Sequence, residues 1–370
     1  MNQAKAFVCA LGAAAALLAA SSVYPWSAEA RQAAGAAAGQ QSALAAANTP
    51  RAGVASRRSP SPPLGLAPII WPKNNPYTPE KAELGRLLYF DKRLSADNTV
   101  ACATCHNPTL GFSDGQPASV GIRGQRGGRN APTVVNRVYG GPQFWDGRAP
   151  SLEEQAKGPI ANPIEMGETQ DNVVAKLRAV TGYRKLFAEA FGTEEFTIDH
   201  IGQAIATFER TVLSGNSPYD RYEAGDQQAL SPAAVRGRDV FFNKAKCDQC
   251  HFGINLTDGA YYNIGVGMEK ADPDIGRFTV TKNEWDYGAF KTPTLREIAN
   301  SAPYMHDGSF KTLEEVVDFY DKGGVANKNR HERIKQLNLT SQEKKDLVEF
   351  LKALSGEGWQ HVSEPTAFPE

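Results

Sequence analysis

The pentapeptide Cys102-Ala103-Thr104-Cys105-His106 recurs in form as Cys247-Asp248-Gln249-Cys250-His251. C-x-x-C-H is the attachment signature of c-type haem: two thiols add to the vinyl groups, and the neighbouring imidazole becomes an axial iron ligand. A disulfide or half a zinc site is the alternative use of either pair. Zinc needs further ligands close by, and the one other cysteine, Cys9, is remote in sequence. Two copies therefore predict two covalently held haem c groups and a fold that wraps both.

At 370 residues and 41% hydrophobic content the chain is long enough for two domains with their own cores. Residues 1–30 read as a secretory signal: Lys5 opens it, an apolar run spans Ala6 to Ala20, and Ala28-Glu29-Ala30 offers a small-x-small cleavage site. The run is too short and alanine-rich for a membrane span, although an uncleaved anchor is the competing reading. Cys9 leaves with this segment, so all four remaining cysteines serve haem, which fits export to the periplasm. Residues 31–65 are rich in Ala, Gln, Ser and Pro and read as a flexible linker. Removing the five basic residues and one acidic residue of positions 1–64 from totals of 40 and 41 leaves 35 basic against 40 acidic. That balance argues against a nucleic-acid partner and favours a small electron-donor protein with basic patches.

The fold class expected is mostly α, with two cytochrome c-like domains at 66–215 and 216–370. Thr78-Pro79 and Ser231-Pro232 each read as an N-cap followed by proline at the first helical turn, one ahead of each haem motif. Gly85-Arg86 and Gly237-Arg238 recur at matched places in these helices, which marks an internal duplication. A mid-helix glycine costs about 1 kcal/mol against alanine, so the pair points to close packing on another helix. Residues 171–191 and 197–214 read as two connecting helices, with His200 a surface or capping residue. The glycines at 121, 124, 127 and 128 read as irregular backbone around haem. Thr312 with Glu315, and Thr340 with Glu343, are capping boxes that open the last two helices. No run of strands is expected.

What the two haems do depends on the sixth ligand of each iron, because a saturated iron passes electrons and an open one binds peroxide or oxygen. Spacing alone leaves Met166, 60 residues after His106, and Met305, 54 after His251, as ligands of a simple electron carrier.

Residues 72–355 resemble the bacterial di-haem cytochrome c peroxidases and their MauG-type relatives. The resemblance rests on Arg129-Asn130-Ala131-Pro132-Thr133, Phe144-Trp145-Asp146-Gly147-Arg148, Glu154-Gln155-Ala156-Lys157-Gly158-Pro159, Asn162-Pro163-Ile164-Glu165-Met166-Gly167, Phe208-Glu209-Arg210-Thr211 and Ala302-Pro303-Tyr304-Met305-His306-Asp307-Gly308. It implies that the His106 haem is the peroxidatic one and that Met166 is not its ligand. The capping histidine of most of the peroxidases falls at Ile122, which has no donor, so the resemblance implies an open iron as in MauG-type proteins. The distal methionine of the second haem falls at Tyr320, and MauG-type proteins place a tyrosine there. A phenolate favours oxidised iron and lowers the potential. If Tyr320 is only a core aromatic, Met268 or Met305 becomes the competing ligand.

The same resemblance gives Trp145 as an electron relay between the haems and Glu165 as the distal acid–base. Gln155 and Pro159 become pocket-shaping residues, and Asn130 with the Ser301 and Pro303 carbonyls becomes a calcium site. His306 reads as structural, and His331 and His361 as surface residues. The function expected is a periplasmic peroxidase that reduces hydrogen peroxide with electrons from a small redox protein, a cytochrome c or cupredoxin. The alternatives are MauG-type oxidation of Trp or Tyr in a partner protein, and a non-catalytic electron carrier.

Overall fold

Capped starts and apolar stripes place the helices of residues 59–370, the part of the chain that this computed structural model describes. The expected leader at 1–30 and the linker up to residue 58 lie outside the described residues. The principal helices are α1 (Pro79–Phe90), α2 (Leu152–Ala161), α3 (Gln170–Arg178), α4 (Thr181–Phe191), α5 (Ile198–Glu209), α6 (Pro232–Asp239), α7 (Leu313–Asp321) and α8 (Ser341–Lys352). Among the described residues, strand is confined to β1 (Tyr261–Tyr262) against β2 (Phe290–Lys291), antiparallel. The protein consists of two cytochrome c-type domains and is mostly helical.

The Thr78 hydroxyl accepts from the Lys81 N–H at 3.1 Å, and Ser231 accepts from the Ala234 N–H at 3.1 Å. Both helices therefore begin where a hydroxyl satisfies an orphan donor and proline needs none. Thr312 and Thr340 cap α7 and α8 in the same way, and His200 caps α5 by accepting from the Thr197 N–H at 3.0 Å. Residues 171–191 form two helices instead of one. Their apolar stripe runs Val173, Leu177, then Tyr183, Phe187, all wholly buried. The six-residue step in the middle breaks helical phase, and Val180 is extended there.

The two glycines explain how each domain closes. A Cβ on Gly85 would lie 1.9 Å from the Ala204 carbonyl oxygen of α5, and a Cβ on Gly237 would lie 1.9 Å from the Asp346 carbonyl oxygen of α8. Phe208 and Phe350, at matched places, take the next contact in each crossing. Backbone thus meets backbone at α1–α5 and again at α6–α8, and an apolar cluster forms around each crossing. The first gathers Leu84, Leu88, Tyr89, Phe112, Phe187 and Phe208; the second gathers Phe241, Val317, Leu347, Phe350 and Leu354.

The ends of the chain tie the domains together. Trp359 belongs to the first cluster although it follows α8. Glu357 and Gly215 exchange backbone hydrogen bonds at 2.8 and 3.1 Å, and the Gly182 N–H donates to the Glu370 carbonyl at 2.7 Å. At the other end the Asn216 N–H donates to the Leu64 carbonyl at 2.7 Å, so the last residues of the linker drawn at 31–65 are held against the folded part. Within the second domain, Arg296 makes a bidentate pair with Asp220 at 2.8 Å on both oxygens, and both side chains are buried.

Gly85→Ala and Gly237→Ala force apart helices that are already at contact. Each is expected to lose about 1–3 kcal/mol, several degrees in Tm. Gly128→Ala, which would meet nothing within 4 Å, is expected to melt like the parent. Calorimetry on the three variants checks this, and equal melting temperatures would refute the crossing.

Candidate functional site

Each haem motif makes one short turn that brings its histidine back over its first cysteine: the His106 N–H donates to the Cys102 carbonyl and the His251 N–H to the Cys247 carbonyl, both at 2.9 Å. The ring Nδ1 of His106 lies 3.3 Å from the Phe112 carbonyl, and that of His251 lies 3.2 Å from the Leu256 carbonyl. A carbonyl only accepts, so Nδ1 carries the hydrogen and Nε2 keeps its lone pair for a metal. Burial pushes both imidazoles down and so keeps them neutral. Burial also pushes the four free thiols up, Cys105 to about 11 and Cys247 to about 12. Thiols so protected remain free to form thioethers.

The second motif opens into an apolar-walled cavity of about 250 Å³ that also reaches Tyr320, Met305 and Trp145. Burial raises the Tyr320 phenol, and the Cys247 and Cys250 sulfurs lie close enough to raise it further. Met305 shares that wall, whereas Met268 packs its sulfur against Gly288 and does not reach the cavity. Arg137 and Lys291 line it too. The Arg137 guanidinium donates twice to Gln143 Oε1, at 3.0 and 2.6 Å, and Lys291 Nζ donates to the Pro142 carbonyl at 2.7 Å. Neither has a carboxylate partner among the described residues. Burial, with Arg137 adding to it, pushes the Lys291 amine down to about 6. A half-buried guanidinium and a buried amine, neither with a carboxylate, suit the propionates of a haem, whose charge would restore the ammonium form of Lys291, so this chain's residues fit the cofactor.

Around the first motif, Ile122 is 1% exposed and its N–H donates to the Glu165 carbonyl at 2.8 Å. A Cβ on Gly121 would lie 2.0 Å from the Ile164 carbonyl oxygen, so only glycine lets this loop lie on the 162–167 loop. The Glu165 carboxylate accepts from Asn162 Nδ2 at 2.9 Å. Burial holds its pKa above the ordinary value, against the opposing pull of Arg148 and Asn162. Its charge reaches both Cys102 and Cys105. Gln155 and Pro159 stand on α2, where the Pro159 carbonyl accepts the Met166 and Asn162 N–H groups, both at 3.2 Å. Met166 itself is packed in the first core.

The domains meet in a reciprocal pattern. The Asn130 N–H donates to the His306 carbonyl and the Lys291 N–H to the Trp145 carbonyl, both at 2.8 Å. Trp145 Nε1 donates to the Asn130 carbonyl at 2.9 Å. His306 stacks on Phe290 with ring centroids 3.6 Å apart. Arg129 clamps both sides, reaching Asp146 at 2.6 Å and Asp274 at 2.6 Å. Asn130, Ser301 and Pro303 come together on the cavity wall. Among the described residues none of their three expected calcium-ligand oxygens accepts a hydrogen bond, and hard oxygens left free in this way suit a divalent cation.

Sequence reasoning passed over three features. The first is a second duplication at a constant spacing of 161 residues: Asn130 with Lys291, Trp145 with His306, Ser151 with Thr312, Pro159 with Tyr320. Ser151 and Thr312 cap α2 and α7 on their third residues, Glu154 and Glu315. Tyr320 and Pro159 therefore occupy one position on two copies of one helix. The second is the pair of basic side chains with no carboxylate partner among the described residues, Arg137 and Lys291. The third is Glu209, the acid of Phe208-Glu209-Arg210-Thr211, which is 5% exposed, with Oε2 buried and unpaired. Burial raises it to about 8 against the pull of Arg210 and Arg137, and its charge reaches Cys102.

Comparison with known proteins places these features in context. The family profile described as di-haem cytochrome c peroxidase matches residues 79–228, and a cytochrome c profile matches residues 234–355. The chain is 45% identical to the methylamine utilization protein MauG of Methylorubrum extorquens, over 77% of this chain and 81% of that protein. It is 39% identical to the cytochrome c551 peroxidase of Nitrosomonas europaea, over 83% and 87%. Among solved structures, a MauG-like protein associated with microbial copper homeostasis superposes with a TM-score of 0.75 at 35% identity, covering 86% of this chain and 99% of that one.

Glu209 yields a test of the buried polar cluster. Its folded pKa of about 8 exceeds the ordinary 4.5, so its contribution to stability is complete below pH 4.5 and is lost as pH rises through 8. The Tm of Glu209→Gln relative to the parent is expected to climb between pH 5 and pH 9. A difference that stays flat across that window would contradict a buried, neutral Glu209.

Proposed function

The chain belongs to the di-haem cytochrome c peroxidase and MauG family, and from that premise we propose that it is an exported oxidoreductase that reduces hydrogen peroxide. Bound haem c supplies iron that exchanges electrons with peroxide and with a redox partner. Cys102, Cys105 and His106 would hold the peroxidatic group; Cys247, Cys250, His251 and Tyr320 would hold the other.

Two electrons and two protons turn hydrogen peroxide into two waters, and Glu165 is the residue suited to the proton traffic. Its carboxylate oxygen takes the proton from one peroxide oxygen and returns it to the departing one, while Asn162 fixes its orientation. Burial raises its pKa above the ordinary carboxylate value, so more of it is protonated and able to donate than of a free carboxyl at the same pH. Ile122 offers no donor where a competing ligand would stand, so peroxide needs no displacement step. Trp145 supplies a polarisable ring at the junction for the electrons to cross, and its Nε1 bond to Asn130 fixes that ring. Asn130, Ser301 and Pro303 would hold a calcium ion beside it. The leader read in residues 1–30 supports a periplasmic location and a small periplasmic electron donor.

A second reading is MauG-type oxidation of Trp or Tyr in a partner protein, and the combination of Ile122 with Tyr320 favours it. The observation that carries the proposal is the pairing of a half-buried acid at Glu165 with a donor-free Ile122 beside the first haem motif.

Turnover of hydrogen peroxide with a reduced cytochrome tests it. The parent is expected to turn over with an acidic limb that reports Glu165. Glu165→Gln is expected to lose that limb and about 10²–10⁴-fold in kcat. Unchanged kinetics in this variant would remove Glu165 from the mechanism. Negligible turnover in the parent, with a long-lived oxidised state after peroxide is added, would move the assignment to the MauG-type reading.

A further inference from the structure

The junction contains one local structure twice, and the two copies handle positive charge differently. In the first copy, Asn130 shares the cavity wall with Ser301 and Pro303. A shift of 161 residues turns these three into Lys291, Gly140 and Pro142. The backbone match is close: the Asn130 N–H donates to the His306 carbonyl at 2.8 Å, and the Lys291 N–H donates to the Trp145 carbonyl at the same distance. Asn136 and Glu297, another pair at this spacing, share a left-handed conformation with φ of 59° and 61°. The hairpins that follow also match, with bridges Gln143–Ala149 and Tyr304–Phe310.

Equivalent backbones launch the side chains of Asn130 and Lys291 from equivalent points. Asn130 is an uncharged oxygen donor beside two carbonyls and needs an external cation to use them. Lys291 brings its own cation, and its Nζ donates to the Pro142 carbonyl at 2.7 Å, the counterpart of the Pro303 carbonyl. We propose that the Lys291 ammonium is a tethered cation that does, in the second copy of the junction, what a divalent metal ion does in the first.

The inference rests on the calcium reading of Asn130, Ser301 and Pro303, and it extends that reading to a residue outside that ligand set. The charged groups that bear on Lys291 are Arg137, which repels the ammonium, and Asp146, which attracts it. Burial works against the charge as well, so the ammonium form depends on the carboxylates that a bound haem would bring to the adjoining cavity. The design leaves one junction cation exchangeable and ties the other to the chain. It also fixes the Trp145 hairpin without a metal, because the main chain of Lys291 holds the Trp145 carbonyl while its side chain holds Pro142.

The test measures calcium content by plasma mass spectrometry on holoprotein equilibrated with calcium and desalted, with Tm read in calcium and in chelator. Lys291→Asn recreates the donor of the first copy and is expected to carry one more calcium per chain than the parent. Asn130→Lys supplies a tethered cation to the first copy. It is expected to carry one fewer calcium, with a Tm that chelator no longer lowers, while Asn130→Ala loses calcium and melts early. Lys291→Met, which removes the charge and adds no donor, is expected to melt early without gaining calcium. Two haems per chain, counted by pyridine haemochrome, certify each variant as folded, and if Lys291→Asn fails that count the Asn130→Lys arm decides alone. A folded Lys291→Asn with the parent's calcium content overturns the proposal, as does an Asn130→Lys that melts as early as Asn130→Ala. A parent without calcium would sink the calcium reading and the inference with it, whereas a calcium-loaded parent with an unchanged Lys291→Asn overturns the inference alone.

Discussion

Two backbone hydrogen bonds that cross in opposite senses, from Asn130 to His306 and from Lys291 to Trp145, fix the relation between the domains. Each alone contributes about 1 kcal/mol. Their weight comes from what they hold: Trp145 and His306 sit at the same place on two copies of one hairpin. The Arg129 clamp joins Asp146 of its own domain to Asp274 of the other, so separation of the domains strips a part-buried guanidinium of one carboxylate. Electron passage between two haem sites requires a fixed separation, and this junction supplies it.

Duplication followed by single-residue divergence accounts for the asymmetry of the two sites. α2 and α7 start from the same capped Leu-Glu-Glu turn, and seven residues after Leu152 and Leu313 one carries proline and the other tyrosine. Proline has no side-chain donor for a metal, whereas tyrosine brings a phenol that burial keeps from ionising until a cation meets it. On the proposed function, that one difference separates a site for the oxidant from a site for electron storage. The same logic applies to Asn130 and Lys291, where one copy calls for an ion and the other contains it.

The haem motifs, the proline-initiated helices and the close-packed glycines were legible because each is set by local chemistry: thiol spacing, an N-cap hydroxyl, a missing Cβ. The break at Val180 was legible only as a six-residue step between Leu177 and Tyr183, which a count of apolar residues overlooks. Trp359 joining the first core was not legible, since nothing local says where a chain end returns. Glu209, Arg137 and Lys291 stayed hidden because a charged residue in sequence looks solvated until burial is known. The 161-residue spacing was visible in the sequence throughout and would have paired Pro159 with Tyr320. The relatives named MauG and those named peroxidase share this architecture, so family membership fixes the scaffold and leaves the reaction to the residues around each iron.

On the proposed function, one iron is open at rest and its partner is closed by a side chain. Electron paramagnetic resonance of the ferric holoprotein addresses both sites in one spectrum. One high-spin and one low-spin haem in equal amounts are expected. Two low-spin haems, unchanged by added peroxide or small anions, would contradict it and leave a protein that only carries electrons.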